Sequence, residues 1–205
     1  GTFFHRPVAG SFPEPSLRTL LLQGGGVYIG GSSNVKFEDC EIYSNSAFAT
    51  GGGVFIYQAT VTFINTQIHD NQATSIPGGQ GGGVYIDGSS TVKFEGCGIY
   101  SNSAGWGGGV EIYGATVTFT NTQIHNNQAF QGDGGGVFID ANVAFHVVRV
   151  FTVKFEDCEI YSNSATYGGG GGVYIQGSST VKFEDCGIYS NSAYGGGGVY
   201  IDGSS

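Results

Sequence analysis

The stretch Gly81–Trp106, GGGVYIDGSSTVKFEGCGIYSNSAGW, decides the fold. Three segments in it, GGGVYI, TVKFEGC and GIYSNSA, alternate apolar with polar residues and are separated by the turn formers Gly and Ser. Successive strand residues point to opposite faces, so Val84, Ile86, Val92, Phe94, Cys97, Ile99 and Ala104 share one side. Tyr85, Lys93, Glu95 and Tyr100 take the other. The same phase returns along the chain: GGGV opens at Gly24, Gly51, Gly81, Gly107, Gly134, Gly170 and Gly196, with spacings of 27, 30, 26, 27, 36 and 26 residues. Three short strands per repeat of this length make one coil of a parallel β-helix, with the Val, Ile and Phe side facing in.

The composition of the whole chain agrees. Its 205 residues include 39 Gly, four Pro and no Met, with 40% hydrophobic and 11% charged residues. Glycine at this density without a three-residue period excludes collagen, and the hydrophobic share argues against a disordered chain. All four leucines, Leu17, Leu20, Leu21 and Leu22, precede residue 23, so the rest is built from the strand formers Val, Ile, Phe, Tyr and Thr with Gly. A formal charge of -9 counts against nucleic acid or an anionic membrane surface as the main partner. No apolar run reaches the length needed to cross a bilayer. The chain begins with Gly1 and not Met, so any targeting segment is expected to have been removed or to lie outside this sequence, and the destination is not readable from its start.

The expected architecture is all-β: a right-handed single-stranded parallel β-helix of about six to seven coils over residues 24–205, behind a leader over 1–23. Stacked at about 4.8 Å per coil, six coils make a rod roughly 30 Å long. In the leader, EPSLRTLLLQ (14–23) sets Leu17, Leu20 and Leu21 at i, i+3 and i+4 behind Ser16, which predicts a short amphipathic helix capping the first coil. At the other end the sequence stops within a coil, which predicts either continuation of the natural chain or a partner over the open coil.

The GGGV(Y/F)I opening, the C-x-I-x-x-N-x-A close and the 26 to 27 residue period resemble repeats of the pectin-lyase-like superfamily of right-handed parallel β-helices. Within it, the chain looks most like the glycine-rich repeats of polymorphic outer-membrane proteins, autotransporter passengers and algal or protist surface proteins. The resemblance covers residues 24–205 and implies fold far more than function, because that superfamily includes lyases, hydrolases, adhesins and scaffolds. It implies an extracellular or cell-surface setting.

Two kinds of coil alternate. Coils one, three, five and six carry V-K-F-E-(D/G)-C-x-I-Y-S-N-S-A, and coils two and four carry V-T-F-(I/T)-N-T-Q-I-H-x-N-Q-A. Cys40, Cys97, Cys158 and Cys186 therefore share one inward row with Thr66 and Thr122. Cys40 and Cys97 lie two coils from the next cysteine, roughly 10 Å and beyond disulfide reach, and are expected to be free thiols. Cys158 and Cys186 sit on adjacent coils but with parallel side chains, a poor geometry for a bridge. No second ligand type converges on this row, so neither metal nor cofactor is expected. Asn45, Asn71, Asn102, Asn127, Asn163 and Asn191 form another row, whose amides can bond coil to coil. No N-x-(S/T) sequon occurs.

Candidate partner surfaces follow from the outward rows. On the first strand stand Tyr28, Phe55, Tyr85, Glu111, Phe138, Tyr174 and Tyr200, with Phe48, Trp106, Phe130, Tyr167 and Tyr194 beside them in the third turn. Aromatic residues in line suit a polysaccharide or a flat protein partner; they also suit stacking between rungs. The second strand displays Lys36, Thr62, Lys93, Thr118, Lys154 and Lys182, each Lys beside a Glu, and reads as a solvated face. The third displays Tyr43, His69, Tyr100, His125, Tyr161 and Tyr189, whose histidines are too far apart to share a metal. Asp39, Asp157 and Asp185 recur with Asn65, Gly96 and Asn121 in the second turn, and Asp87, Asp140 and Asp202 recur in the first, as tight turns require. A catalytic centre should break the repeat with residues found once, so no catalytic residue is assigned.

The repeat is broken at Ala141–Phe151, ANVAFHVVRVF, where eleven residues replace a three-residue turn, and at the smaller Thr74–Gln80. The apolar arm makes Phe145, His146, Arg149 and Phe151 docking candidates. Together these features describe a non-enzymatic structural or surface solenoid that binds a protein or polysaccharide through its aromatic ladder. The alternatives are an accessory subunit or end-to-end fibre protomer self-associating through the open coil, and a polysaccharide lyase or hydrolase.

Overall fold

The computed structural model describes residues 23–141 and 151–203. In coil three the sequence segments become strands Val84–Asp87, Thr91–Glu95 and Gly98–Tyr100, as the alternation requires, and then a fourth pair, Ser103–Ala104. GIYSNSA therefore splits in two. Ser101 takes φ 54°, a left-handed bend that sends the chain round a corner before Ser103. The bend recurs at Ser44, Asp70, Asn126, Ser162 and Ser190, so each coil has four strand segments where three were expected.

Each strand pairs in parallel with its counterpart one coil away, in register: Val84 with Val110, Phe94 with Phe119, Ile99 with Ile124. Among the described residues this builds one sheet of seven strands and three of six, an all-β parallel solenoid of about six turns. Like residues are stacked on like, which puts Phe37, Phe63, Phe94, Phe119, Phe155 and Phe183 in one interior column with ring centroids 4.8–5.0 Å apart. Phe63, Phe94, Phe119 and Phe155 are fully buried, each contributing about 1.5–3 kcal/mol in burial alone.

The asparagine row closes the corner made by the Ser101 bend. Asn102 donates from its backbone N and its Nδ2 to Asn127 Oδ1, both at 3.0 Å, and from Nδ2 to the Ile68 carbonyl at 2.9 Å. Its own Oδ1 accepts the same pair from Asn71. The pattern runs from Asn45 to Asn191, so the N–H groups of Asn45 to Asn163 and the carbonyls of Ile42 to Ile160 find partners at the bend.

The triple glycine has three separate causes. Gly81 sits at φ 61°, where a side chain is strained. A Cβ on Gly82 would fall 2.4 Å from the Gly108 carbonyl oxygen of the next coil, and one on Gly83 would press on the Asn102 amide at 3.0 Å. The second turn works as expected: Asp39, Asn65, Gly96, Asn121, Asp157 and Asp185 all have positive φ between 47° and 63°. The first turn does not. Asp87, Asp140 and Asp202 end strands of the first sheet, and the left-handed positions fall after them, as at Gly88 and Ser89.

All four cysteines are free. They and the threonines of their row share one bond, a donation to the carbonyl two residues earlier: Thr66 Oγ1 to Ile64 at 3.0 Å, Cys158 Sγ to Glu156 at 3.1 Å. A hydroxyl and a thiol are interchangeable there. Both insertions leave and rejoin the rungs. Gln80 returns to pair with Thr50 and Trp106, while the Ala141 amide donates to Gln176 and the Phe151 carbonyl accepts from Thr180. Phe151 is buried, so it anchors the strand that follows and does not tip a docking arm. Phe145, His146 and Arg149 lie outside the described residues, as does the capping helix expected before Gln23.

Candidate partner-binding surfaces

The first-strand row was expected to be an exposed stripe, and over most of its length it is not. Phe55, Tyr85, Phe138 and Tyr174 are only 4–8% exposed, against 40% for Tyr28 and Tyr200. In-register pairing at rung distance lays ring on ring, and the glycine joint packs against them, with Gly51 beside Phe55, Gly134 beside Phe138 and Gly170 beside Tyr174. Tyr28 stacks on Phe55 at 5.1 Å, Phe55 on Tyr85 at 5.4 Å, and Phe138, Tyr174 and Tyr200 continue at 5.3 Å. Faces that could receive a sugar ring or a flat partner are occupied by neighbouring residues of the same chain. Edges are engaged too: the Tyr174 hydroxyl donates to Asp202 at 3.3 Å.

Glu111 interrupts this column between Tyr85 and Phe138. It is 1% exposed; Oε1 accepts from Gln80 Nε2 at 2.9 Å, and Oε2 has no partner. Burial pushes its pKa well above the usual carboxylate range, Asp140 and Asp87 push the same way, and the Gly81 amide opposes them. Burial likewise raises Asp87 and, most of all, the Tyr85 phenol, which also feels Glu111. Glu111 is the only non-aromatic residue in its row, a signal present in the sequence as the one departure from pattern.

The third-sheet row also stacks. Tyr43, His69, Tyr100, His125, Tyr161 and Tyr189 form six parallel rings 4.7–5.2 Å apart, with the edges half open to solvent. His69 Nδ1 lies 2.8 Å from Asp70 Oδ2, and burial lowers the pKa of His125. On the second sheet each lysine meets its glutamate as expected, Lys36 with Glu38 at 2.7 Å and Lys93 with Glu95 at 2.8 Å. Where two lysine coils adjoin, Lys154 bonds both Glu156 and Glu184; these contacts hold Lys154 up at about 12 and, with Lys182, hold Glu184 down at about 2.

The third-turn corner differs from every other row. Phe48, Tyr167 and Tyr194 are 56%, 75% and 91% exposed, and Ile76 of the small insertion is 78% exposed. A shift of register between Ala165 and Gly169 pushes Tyr167 outward. Trp106 is half-buried, its indole filling the space beside Gly132, where a Cβ would lie 1.8 Å from Nε1. Of the binding candidates, Trp106 alone joins this corner; Tyr28, Phe55, Tyr85, Phe138, Tyr174 and Tyr200 belong to the stacked column.

Among the described residues no group of three or more His, Cys, Asp or Glu is placed to hold a metal ion, and no helix is long and apolar enough to cross a membrane. Two depressions on the surface are shallow and open, one edged by Glu156, Asp157, Glu184 and Asp185, the other by Ser32, Gln58, Gly88 and Ser89. The first lies at the second turn and the second at the first turn.

A family model described as a right handed beta helix region matches residues 18–151. Neither a curated protein nor a solved structure matches the chain.

Proposed function

The chain belongs to the right-handed β-helix family, and from that premise we propose that it serves as a non-enzymatic structural rod, outside the cell or at its surface, that presents one edge to a partner. One observation carries this reading: the residues with chemistry to offer recur on successive coils and bond to their own copies. Amides bond amides, phenols and imidazoles stack, lysines pair with glutamates, and thiols and hydroxyls satisfy turn carbonyls. Side chains engaged in this way define a rigid axis, and little is left over for turnover.

Partner contact then belongs to the third-turn corner, where large apolar side chains remain exposed without stacking on the next coil. The test of the non-enzymatic part is incubation with acidic and neutral polysaccharides, reading new reducing ends and the ultraviolet absorbance of unsaturated products. No release is expected. Turnover abolished by a single change such as Asp157→Asn would overturn it.

A further inference from the structure

We propose that the third-turn corner is a binding edge for a linear, uncharged polysaccharide; this rests on reading the rod as a scaffold and names what its edge takes. Six consecutive coils each place one large apolar side chain there: Phe48, Ile76, Trp106, Phe130, Tyr167 and Tyr194. Tyr167 and Tyr194 belong to none of the ring stacks found among the described residues, and their exposure leaves ring faces open to solvent. This is what separates them from the buried column, whose faces are already covered.

The corner is also nearly without charge. Residues 46–50, 72–80, 103–106, 128–133, 164–169 and 192–195 contain a single side chain of a charged type, Asp133, and its Oδ1 accepts from the Gly169 amide at 2.6 Å. The chain as a whole carries -9. An anionic polymer gains no ion pair at this edge and is repelled by the rest of the rod, while a cationic one is drawn to other faces. The occupant that fits is therefore neutral.

Beside the rings runs a column of neutral hydrogen-bonding groups. Ser46, Gln72, Ser103, Gln128, Ser164 and Ser192 begin the strands of the fourth sheet and pair in register from coil to coil. Apolar, mostly aromatic side chains along one edge and hydroxyl or amide groups in a parallel line complement a pyranose chain. Such a chain presents C–H faces at fixed intervals with hydroxyls between them. A protein partner would be met by a contiguous, water-excluding patch that combines aromatic with Arg or Met anchors; here no Arg or Met stands at the edge, and the aromatic residues are flanked by Gly, Ala, Ser and Gln. Because the edge follows the rod axis, the polymer lies lengthwise along it.

The experiment is affinity gel electrophoresis of the full chain in gels containing hydroxyethylcellulose, galactomannan or, as the charged control, polygalacturonate. Retardation is expected in at least one neutral gel and not in polygalacturonate. Tyr194→Ala and Tyr167→Ala should each weaken the apparent affinity about tenfold, the size of one lost aromatic contact. Tyr43→Ala, on the third sheet, should leave it unchanged. Matching circular dichroism spectra and melting curves confirm that these surface variants fold. Migration unaffected by every neutral polymer overturns the proposal, as does equal retardation by polygalacturonate or undiminished binding by the Tyr167, Tyr194 double variant. Capture of a protein at this edge in place of a glycan also overturns it, and leaves the rod reading standing; polysaccharide turnover would instead bring down the rod reading.

Discussion

Replacing Glu111 by Gln should make the chain more stable as pH rises. In the native state Glu111 is held in its neutral form by burial between Tyr85 and Phe138 and by the nearby Asp140 and Asp87. Unfolded, it ionises near the ordinary value of about 4.3. The folded pKa is therefore above the unfolded one. Below about pH 4.3 both states carry the proton and the residue costs nothing. Above it, the native state keeps a proton that the unfolded state has released, so stability falls by about 1.4 kcal/mol per pH unit until pH passes the folded pKa. Gln has the same shape, can still accept from Gln80 Nε2, and cannot ionise. The difference in unfolding free energy between E111Q and the parent should then grow by about 1.4 kcal/mol per unit from about pH 4.5 upward and level off at the native pKa. Urea unfolding followed by Trp106 fluorescence across pH 4–8 measures it, and other titrating groups cancel because both chains contain them. A difference that stays flat across this range would refute the burial of a neutral carboxyl at this rung.

Three further outcomes follow from the ladders. Asn102→Ala removes acceptor and donor together: the Asn71 backbone N–H loses its acceptor and the Ile68 carbonyl loses the Nδ2 donor, while residue 102's own N–H keeps Asn127 Oδ1, so it should cost about 2–4 kcal/mol in the same urea assay. Gly82→Ala has to move the Gly108 or Ser103 carbonyl, 2.4 and 2.5 Å from the new carbon, and should lower stability by about 1–3 kcal/mol or more. Cys97→Thr should change stability by less than about 1 kcal/mol, because Thr66 and Thr122 already make the same bond in that row; native Cys97, buried and with its pKa raised by burial, should react with a thiol reagent only on unfolding.

The period, the inward phase and the left-handed second turn were all legible in the sequence, because each is a local rule repeated: alternation for the faces, Asp, Asn or Gly for positive φ. The asparagine row signals a bend but not its place, since Ser carries no obligatory turn signature and GIYSNSA reads as one alternating segment. The exposure of the aromatic row escapes the sequence for a different reason. Alternation assigns Phe55 and Tyr85 to the outside of the sheet, but outside is not the same as exposed when a large side chain lies one rung away on each side. Accessibility in a solenoid is set by the neighbouring coil.

That distinction directs the search for function in such a chain. A row that repeats faithfully is, by its fidelity, stacked: the rung spacing of about 4.8 Å brings like groups into contact, and aromatic, amide or ionic partners are found within the molecule. The Phe column, the Asn column and the Tyr–His column all follow this logic, and mutating them should be felt as stability. Contact with another molecule requires groups that escape it. At the third-turn corner the apolar residue shifts position between coils, from directly after the fourth-sheet Ala in Phe48, Phe130 and Tyr194 to one residue later in Trp106 and Tyr167. Between Ala165 and Gly169 the pairing with the next coil also shifts register. Irregular register prevents ring-on-ring stacking there and leaves Tyr167 and Tyr194 open. In a rod built by repetition, the partner is met where the repeat is inexact.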